Sequence, residues 1–254
     1  MELTVIGSGT TIPLAYRGSP SLMVSIDGDH ILFDMGPGTV RQLARTGLNI
    51  NSISHIFFTH FHPDHISDLV HFLFTKKSPS IPQRDEPVMV SGPHGLGRVM
   101  HRLQEAYAPY LDLPPGIIEI GELGTNGKST NNYKKFKIIT APVKHASESI
   151  AYRLETREGR SIVYSGDTAF CDEIVELSRG ADLLILEASF PDGQEVAGHL
   201  TPSQAGRIAA LANVKRLLLT HLYPECLETD IASQCRAHYA GDLTIGTDLL
   251  QIRV

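Results

Sequence analysis

Short apolar runs, each bounded by glycine, proline, asparagine or aspartate, recur along the whole chain. Many of these runs are nearly continuous Val, Ile, Leu and Phe, which is typical of strands whose two faces are both buried. The runs predict strands over residues 2–6, 21–26, 30–34, 53–59, 87–91, 136–140, 149–155, 161–164, 182–187, 215–220 and 249–253.

Segments with a helical spacing of apolar residues lie between the predicted strands. Thr201-Pro202 is typical of a helix start, because threonine caps the helix and proline is favoured at its first position, and Gly92-Pro93 indicates a second start. The predicted helices cover residues 38–47, 66–76, 93–107, 170–179, 202–212 and 228–240. This alternation predicts an α/β fold built in layers.

Residues 109–134, rich in proline, glycine and asparagine, are predicted to form a surface excursion. We expect a single domain over residues 1–254, because no long linker is present.

The composition of the 254 residues is that of an ordinary globular protein, with 42% hydrophobic and 20% charged residues. A formal net charge of −6 argues against a protein whose main task is to bind a polyanion, because neutralising phosphates requires a surplus of lysine and arginine.

No stretch approaches the ~20 apolar residues of a membrane span, and the first residues lead directly into a predicted strand. We therefore expect a cytoplasmic protein that does not bind membranes. The three cysteines, Cys171, Cys226 and Cys235, lack the spacing of a disulfide framework or a zinc knuckle.

Four side chains that commonly bind metal ions follow the predicted strand 53–59 in close succession: His60, His62, Asp64 and His65. Alternate residues of an extended segment point the same way, so His60 and His62 share one direction. Asp64 and His65 lie where the chain is predicted to turn into the next helix. Such a turn can present the first pair to one metal ion and the second pair to another. Imidazole and carboxylate groups suit Zn²⁺, Mn²⁺ or Fe²⁺.

Three further residues of the same kind follow predicted strands elsewhere in the chain: His145, Asp167 and His221. The segments that end at His60 and at His221 are similar, since each is an apolar strand that finishes in Thr-His. This similarity suggests two related halves whose strand ends meet at one site. The histidines that match no motif are expected to be surface or hydrogen-bonded core residues: His30, His55, His71, His94, His101 and His238.

The sequence His60-x-His62-x-Asp64-His65, together with the three strand-end residues, resembles the metal-binding signature of the metallo-β-lactamase superfamily. The resemblance extends over essentially the whole chain and implies an α/β fold with a four-layer αββα sandwich. It also implies two divalent metal ions, with Zn²⁺ as the first choice and Mn²⁺ or Fe²⁺ as alternatives. The implied ligands are His60, His62 and His145 for one ion, Asp64, His65 and His221 for the other, and Asp167 as a bridge between them.

Further segments resemble the ribonuclease Z branch of this superfamily. Leu186-Glu187-Ala188-Ser189-Phe190 and Gly198-His199-Leu200-Thr201 are similar to the paired acid and histidine segments of that branch. The resemblance implies that His199 protonates the leaving oxygen as a general acid and that Glu187 fixes its ring. With Asp64, these two are the predicted catalytic residues. In the alternative interpretation, Gly198-His199 is only the turn before the helix that Thr201 caps.

The chain also departs from the ribonuclease Z branch. Enzymes of that branch typically insert a long flexible arm, which grips the tRNA, between the equivalents of His145 and Asp167, whereas two predicted strands and a tight turn fill that interval here. After His221, the residues Tyr223 and Glu225 stand where small polar and basic residues are usual, which places a tyrosine and an acid near the predicted metal site. Without an arm and with a negative net charge, the protein is not expected to process tRNA efficiently.

These features predict a metal-dependent hydrolase. Two divalent cations with two carboxylates and one hydroxide would leave a residual charge of roughly +1, which suits a phosphodiester. We therefore expect a phosphodiesterase that acts on a small or short substrate, such as a cyclic nucleotide. A tRNA 3′-end endonuclease of the ribonuclease Z type, and a hydrolase of carboxylic esters, thioesters or lactones, are the alternatives that the sequence leaves open. A homodimer is expected from the resemblance alone.

Overall fold

Two mixed β-sheets lie face to face at the centre of the molecule, and helices cover the outer face of each sheet. The computed structural model describes residues 1–81 and 84–254. The layers follow the order helices, sheet, sheet, helices. The predicted α/β fold with a four-layer αββα sandwich is therefore confirmed.

The first sheet changes from antiparallel to parallel pairing across its width. In spatial order its strands are β14 (Gln251–Arg253), β1 (Glu2–Gly7), β2 (Ser21–Ile26), β3 (Asp29–Phe33), β4 (Ile53–Phe57), β5 (Val88–Pro93) and β6 (Ile118–Leu123). Neighbours are antiparallel from β14 to β3 and parallel from β3 to β6. Four helices cover its outer face: α1 (Thr39–Arg45), α2 (Pro63–Ile66), α3 (Asp68–Lys76) and α4 (Leu96–Ala106). A short 3₁₀ helix, Ile50–Ser52, precedes β4.

The second sheet repeats this change of pairing. In spatial order its strands are β13 (Asp242–Ile245), β12 (Arg216–Thr220), β11 (Leu183–Glu187), β10 (Ser161–Tyr164), β9 (Ile150–Thr156), β8 (Phe136–Pro142) and β7 (Ser129–Asn132). Neighbours are parallel from β13 to β10 and antiparallel from β10 to β7. The helices on its outer side are α5 (Asp172–Ser178), α6 (Pro202–Leu211), α7 (Pro224–Leu227) and α8 (Ile231–Arg236). Across the part of the chain that the structure describes, no helix has both the length and the apolarity that crossing a bilayer requires.

Alternate residues of the central strands face different layers. In β11, Leu183 and Ile185 belong to the cluster between the two sheets, whereas Leu184 and Leu186 pack against the outer helices. Both faces of the strand are thus buried, which explains why Leu183 to Leu186 form a continuous apolar run. Each fully buried side chain of this kind stabilises the fold by roughly 1.5–3 kcal/mol relative to an exposed one.

The prediction of a surface excursion over residues 109–134 is wrong in part, because this segment contains β6 and β7. These are edge strands, and they carry exposed polar residues such as Glu119 and Asn132. Edge strands bury fewer apolar side chains than central ones, so an apolar pattern does not mark them. The edge strand β13 was missed for the same reason.

Two helix starts differ from the predicted ones. The helix expected from residue 93 begins at Leu96, because Gly92 and Pro93 continue β5 and pair with β6. The helix expected over residues 66–76 is preceded by α2, so the chain is already helical from Pro63. By contrast, α6 begins as predicted, with a capping box in which the side chains of Thr201 and its partner Gln204 each accept a hydrogen bond from the other's backbone N–H.

The carboxyl ends of the parallel strands lie at one edge of the sandwich. There β4 leads to Thr59, while β10 and β12 lead to Asp167 and His221. The Thr59 carbonyl accepts a hydrogen bond of 3.0 Å from the Ile150 N–H, so backbone joins the two sheets at this edge. The interval from His145 to Asp167, all of which is described, contains β9, β10 and a tight turn, and no arm lies there.

Candidate metal centre

The segment after β4 is extended as far as His62 and then turns into α2. His62 has φ −62° and ψ 143°, and Pro63 follows at the first helical position, where its missing N–H costs no hydrogen bond. Asp64 and His65 therefore lie in the first turn of a helix, whereas the sequence placed them in the turn before one. His60 and His65 are fully buried, whereas His62 is at the mouth of the site.

Three other residues reach the same place from the second sheet. His145 follows β8, Asp167 follows β10 and His221 follows β12. His221 has φ 54°, a left-handed conformation that residues other than glycine adopt rarely. Strain of this kind persists where the surrounding structure fixes a side chain in one orientation, which is common at functional sites.

Gly166 allows the second sheet to approach the first at this edge. It has φ 58°, and a Cβ atom added there would lie 2.6 Å from the Cβ of Thr59. Gly166 directly precedes Asp167 and Thr59 directly precedes His60. The close contact therefore sets the distance between the two segments.

We expect Gly166→Ala to lower the free energy of unfolding by about 2–5 kcal/mol, because an L residue is strained at this φ and its methyl group would overlap Thr59. Gly159→Ala is the matched control, since Gly159 has φ 83° but no atom within 4 Å of an added Cβ. The control should lose only about 1–2 kcal/mol, from backbone strain. Chemical denaturation measures both values, and equal losses would show that the contact with Thr59 is unimportant.

The predicted metal-binding side chains converge in one cluster with two parts. In the first part the potential ligand atoms lie within 4.8 Å of one another, and its members are His60, His62, His145 and Asp167. The second part is equally compact, and its members are Asp64, His65 and His221. The structure thus brings together the residues of each set that the resemblance to the superfamily implied.

The carboxylate of Asp167 lies between the two parts. Its Oδ2 is 3.7 Å from His145 Nε2 and 3.9 Å from His60 Nε2. Its Oδ1 is 3.3 Å from His65 Nε2 and 3.5 Å from His221 Nε2. One oxygen faces each part, which is the arrangement expected of a carboxylate that bridges two cations.

Several buried atoms of the cluster have no hydrogen-bond partner among the described residues: His60 Nε2, His65 Nε2, His221 Nε2 and Asp167 Oδ1. Each unpaired buried polar group costs about 1–3 kcal/mol, so four of them together would be strongly destabilising without a bound partner, and a cation is a partner that accepts lone pairs from all four. Burial lowers the pKa of His60 and favours the neutral imidazole that binds metals. The donor set therefore fits divalent metal ions.

Asp34 supports the second part of the cluster from behind. This fully buried residue directly follows β3 and has φ 59°. Its carboxylate accepts hydrogen bonds from the Thr59 N–H at 2.8 Å and from the Tyr164 hydroxyl at 3.0 Å. It also accepts one from His65 Nδ1 at 2.8 Å, which leaves His65 Nε2 facing the cluster, as in many metal sites. This role was not predicted, and its signal in the sequence is an acid at the end of an apolar strand.

A second buried carboxylate, that of Glu187 at the end of β11, holds His199. Glu187 Oε1 accepts hydrogen bonds from His199 Nδ1 at 2.9 Å and from the Thr168 N–H at 2.8 Å. Its Oε2 accepts from the Leu200 N–H and from the hydroxyl of Ser189. Burial opposes the protonated form of His199, but the hydrogen bond to Glu187 and the Glu187 charge outweigh it and raise the pKa of His199. The structure thus brings the predicted acid and histidine together.

Ser189 connects the His199 pair with the metal cluster. Its Oγ donates a hydrogen bond to Glu187 and lies 2.9 Å from His221 Nδ1. Because the Ser189 hydroxyl donates its proton to Glu187, the Ser189 Oγ can accept a hydrogen bond from His221 Nδ1. The Nε2 atom of His221 lies 3.6 Å from Asp64 Oδ2. The role of Ser189 was not predicted, because its two partners lie on different segments.

Comparisons with known proteins agree with this architecture. The family model for the β-lactamase superfamily domain matches residues 29–222. The ribonuclease Z of Mycolicibacterium gilvum is 30% identical, in an alignment that covers 100% of this chain and 96% of that protein. The chain belongs to the metallo-β-lactamase superfamily. Within this superfamily it is a member of the ribonuclease Z-like branch.

Solved structures of the superfamily are similar along the full length of the chain. The short form of human tRNase Z has a TM-score of 0.83 and 27% identity, and the match covers 100% of this chain and 99% of that one. The metallo-β-lactamase fold protein YhfI from Bacillus subtilis has a TM-score of 0.85 and 22% identity, with 99% of each chain covered, which shows a shared fold. The chain described here is a metal-dependent hydrolase. The predicted family and enzyme class are therefore confirmed.

Proposed function

We propose that this hydrolase is a phosphodiesterase whose two divalent metal ions are bound by the seven converging side chains. The observation that carries the proposal is the position of Asp167. Its Oδ2 faces the first part of the cluster and its Oδ1 faces the second part. The proposed ligands are His60, His62 and His145 for one ion, Asp64, His65 and His221 for the other, and Asp167 for both. Because one sheet supplies His60 and the other supplies Asp167, we also propose that residues 1–254 form one domain.

Two divalent ions held there would act as Lewis acids toward the phosphoryl group and toward water. In the overall reaction water adds to phosphorus, the P–O bond to the leaving group breaks, and the leaving oxygen takes a proton. His199 is the proposed donor of that proton, because Glu187 accepts a hydrogen bond from its Nδ1 and no described residue forms a hydrogen bond with its Nε2. A ligand-type nitrogen of His199 lies within 4.8 Å of the corresponding atoms of Asp167 and His221, so the ring borders the cluster.

The proposed ion is Zn²⁺, with Mn²⁺ and Fe²⁺ as alternatives. The cluster offers five imidazoles and two carboxylates, a set of donors that binds all three ions. Elemental analysis of protein purified without added metal decides between them.

The absence of an arm between β9 and β10 supports a small or short substrate. Contacts from lysine and arginine to phosphates supply most of the affinity for nucleic acids, and the net charge of this chain is −6. A substrate that binds through one phosphodiester at the metal ions avoids the need for such contacts.

A tRNA 3′-end endonuclease is the second candidate function. It is favoured by the full-length similarity to a protein named ribonuclease Z and to human tRNase Z. Lysines near the turn between β7 and β8 are the residues that could replace an arm. Two of these are already engaged, however, since Lys135 lies 3.2 Å from Asp29 and Lys137 lies 2.5 Å from Glu155.

A competition assay at physiological salt distinguishes the two functions. The substrates are a precursor tRNA, bis(p-nitrophenyl) phosphate and a cyclic nucleotide. We expect cleavage of the small diesters and a kcat/KM for the precursor below about 10⁴ M⁻¹s⁻¹. Specific cleavage of the precursor after its acceptor stem above that value would establish the endonuclease instead, and failure to cleave any phosphodiester would exclude both functions.

A further inference from the structure

Phe190 and Tyr223 form a stacked aromatic pair at the edge of the metal cluster. Their ring centroids are 4.4 Å apart and the ring planes are inclined by 24°. Phe190 lies shortly after β11 and Tyr223 shortly after β12, so both are at the sheet edge that carries Asp167. Both side chains are half-buried, and each therefore presents aromatic surface to solvent.

The pair adjoins the proposed proton donor. The Phe190 ring is 5.8 Å from the ring of His199, and the Tyr223 ring is 6.3 Å from it. Tyr223 is also 5.8 Å from the ring of His221. Four rings thus form a continuous wall that runs from the metal cluster to the protein surface.

The backbone fixes the position of this wall. The Tyr223 N–H donates a hydrogen bond of 3.3 Å to the carbonyl of Ser189, which joins the two segments that carry the aromatic pair. Pro224 follows as the first residue of α7 and restricts the chain on the other side of Tyr223. A stacking surface that is held in this way binds a ring with little loss of conformational entropy.

We propose that Tyr223, supported by Phe190, binds a planar ring in the leaving group of the substrate. The inference rests on the proposed phosphodiesterase function. The leaving oxygen must lie within hydrogen-bond distance of the His199 imidazole, so the group attached to this oxygen extends along the wall beside His199. The substrate class is therefore a phosphodiester whose leaving group carries a nucleobase or another planar ring, because every such ring offers a face for stacking.

Calorimetric binding to the metal-loaded protein tests this site without turnover. The first ligand is methyl(2-phenylethyl)phosphinate, which carries a ring and whose two P–C bonds are not hydrolysed. The second is ethyl(methyl)phosphinate, which lacks the ring. We expect Tyr223→Ala to weaken binding of the first ligand by about 5- to 100-fold and to leave the second unchanged within about twofold.

Three further variants make the result specific. Tyr223→Phe keeps the stacking face and should retain wild-type affinity for both ligands. Tyr223→Leu keeps apolar volume without the ring, so it should repeat the selective loss even if the alanine variant fails to fold. Tyr107→Ala is the matched control, because this tyrosine is 47% exposed and lies at the end of α4, and it should change neither affinity.

Equal weakening of both ligands in Tyr223→Leu, or no weakening of either, would overturn the inference. Failure of the ring site can be separated from failure of the proposed function. A wild-type protein that cleaves bis(p-nitrophenyl) phosphate but binds the two phosphinates equally tightly is a phosphodiesterase without this ring site. A protein that cleaves no phosphodiester would exclude the function and the ring site together.

Discussion

Asp167→Ala is expected to remove both metal ions and to lower kcat/KM by about 10³-fold or more, since bound ions supply several kcal/mol of transition-state stabilisation. Its two oxygens face different parts of the cluster, so the substitution removes a ligand from each. The metal content should fall below about one ion per chain. A chelator should lower the melting temperature of the wild-type protein and leave that of the variant unchanged, because only the wild type has bound ions to lose.

Asp182→Asn is the matched control for this prediction. Asp182 is also a buried acid and directly precedes β11 of the second sheet, but its carboxylate accepts hydrogen bonds from the Ser161 N–H at 2.8 Å and from Lys215 at 2.6 Å. Its replacement should lower stability while both ions and the activity remain. An Asp167→Ala protein that retains two ions and full activity would contradict the bridging role.

His199→Ala is expected to slow cleavage of diesters with a poor leaving group by roughly 10²–10⁴-fold, the usual contribution of a general acid. A nitrophenolate leaving group needs no proton, so the loss with bis(p-nitrophenyl) phosphate should be much smaller. Both metal ions should remain, because His199 Nδ1 is engaged by Glu187 and the ring is outside the proposed ligand set. Steady-state kinetics with an alkyl and a nitrophenyl diester measure the two losses.

The control for His199 is His101→Ala, an exposed histidine of α4 that lies 3.4 Å from Glu105. It should leave both rates unchanged. Equal losses with the two diesters in His199→Ala would remove the residue from the general-acid role. A loss of metal ions in that variant would instead indicate that His199 is a metal ligand. The short distances from His199 to Asp167 and His221 are the reason to measure the metal content.

The layered fold could be predicted wherever strands are buried on both faces. In β11 every side chain from Leu183 to Glu187 is buried, and the residues before Glu187 form an unbroken apolar run. The edge strands β6, β7 and β13 could not be predicted in this way, because solvent allows polar residues on them. Their pairing is decided by the neighbouring strand, which a local pattern does not contain.

The metal-binding residues could be predicted from two kinds of sequence signal: one dense local motif, and single residues that directly follow apolar strands. The segment from His60 to His65 carries four ligand-type side chains, far more than packing alone explains, and Asp167 and His221 each follow an apolar strand. The supporting residues could not be found from such patterns. Asp34 orients His65 across 31 positions of sequence, so only the folded chain shows the pair.

X-ray diffraction from crystals of the active protein, measured above and below the absorption edge of the bound metal, tests the central claim most directly. The seven side chains predict two anomalous peaks about 3.5–4 Å apart, one on each side of the Asp167 carboxylate. The peak near His145 would mark one ion and the peak near His221 the other. A single peak, or none, in crystals of protein that hydrolyses a phosphodiester would contradict a dinuclear centre.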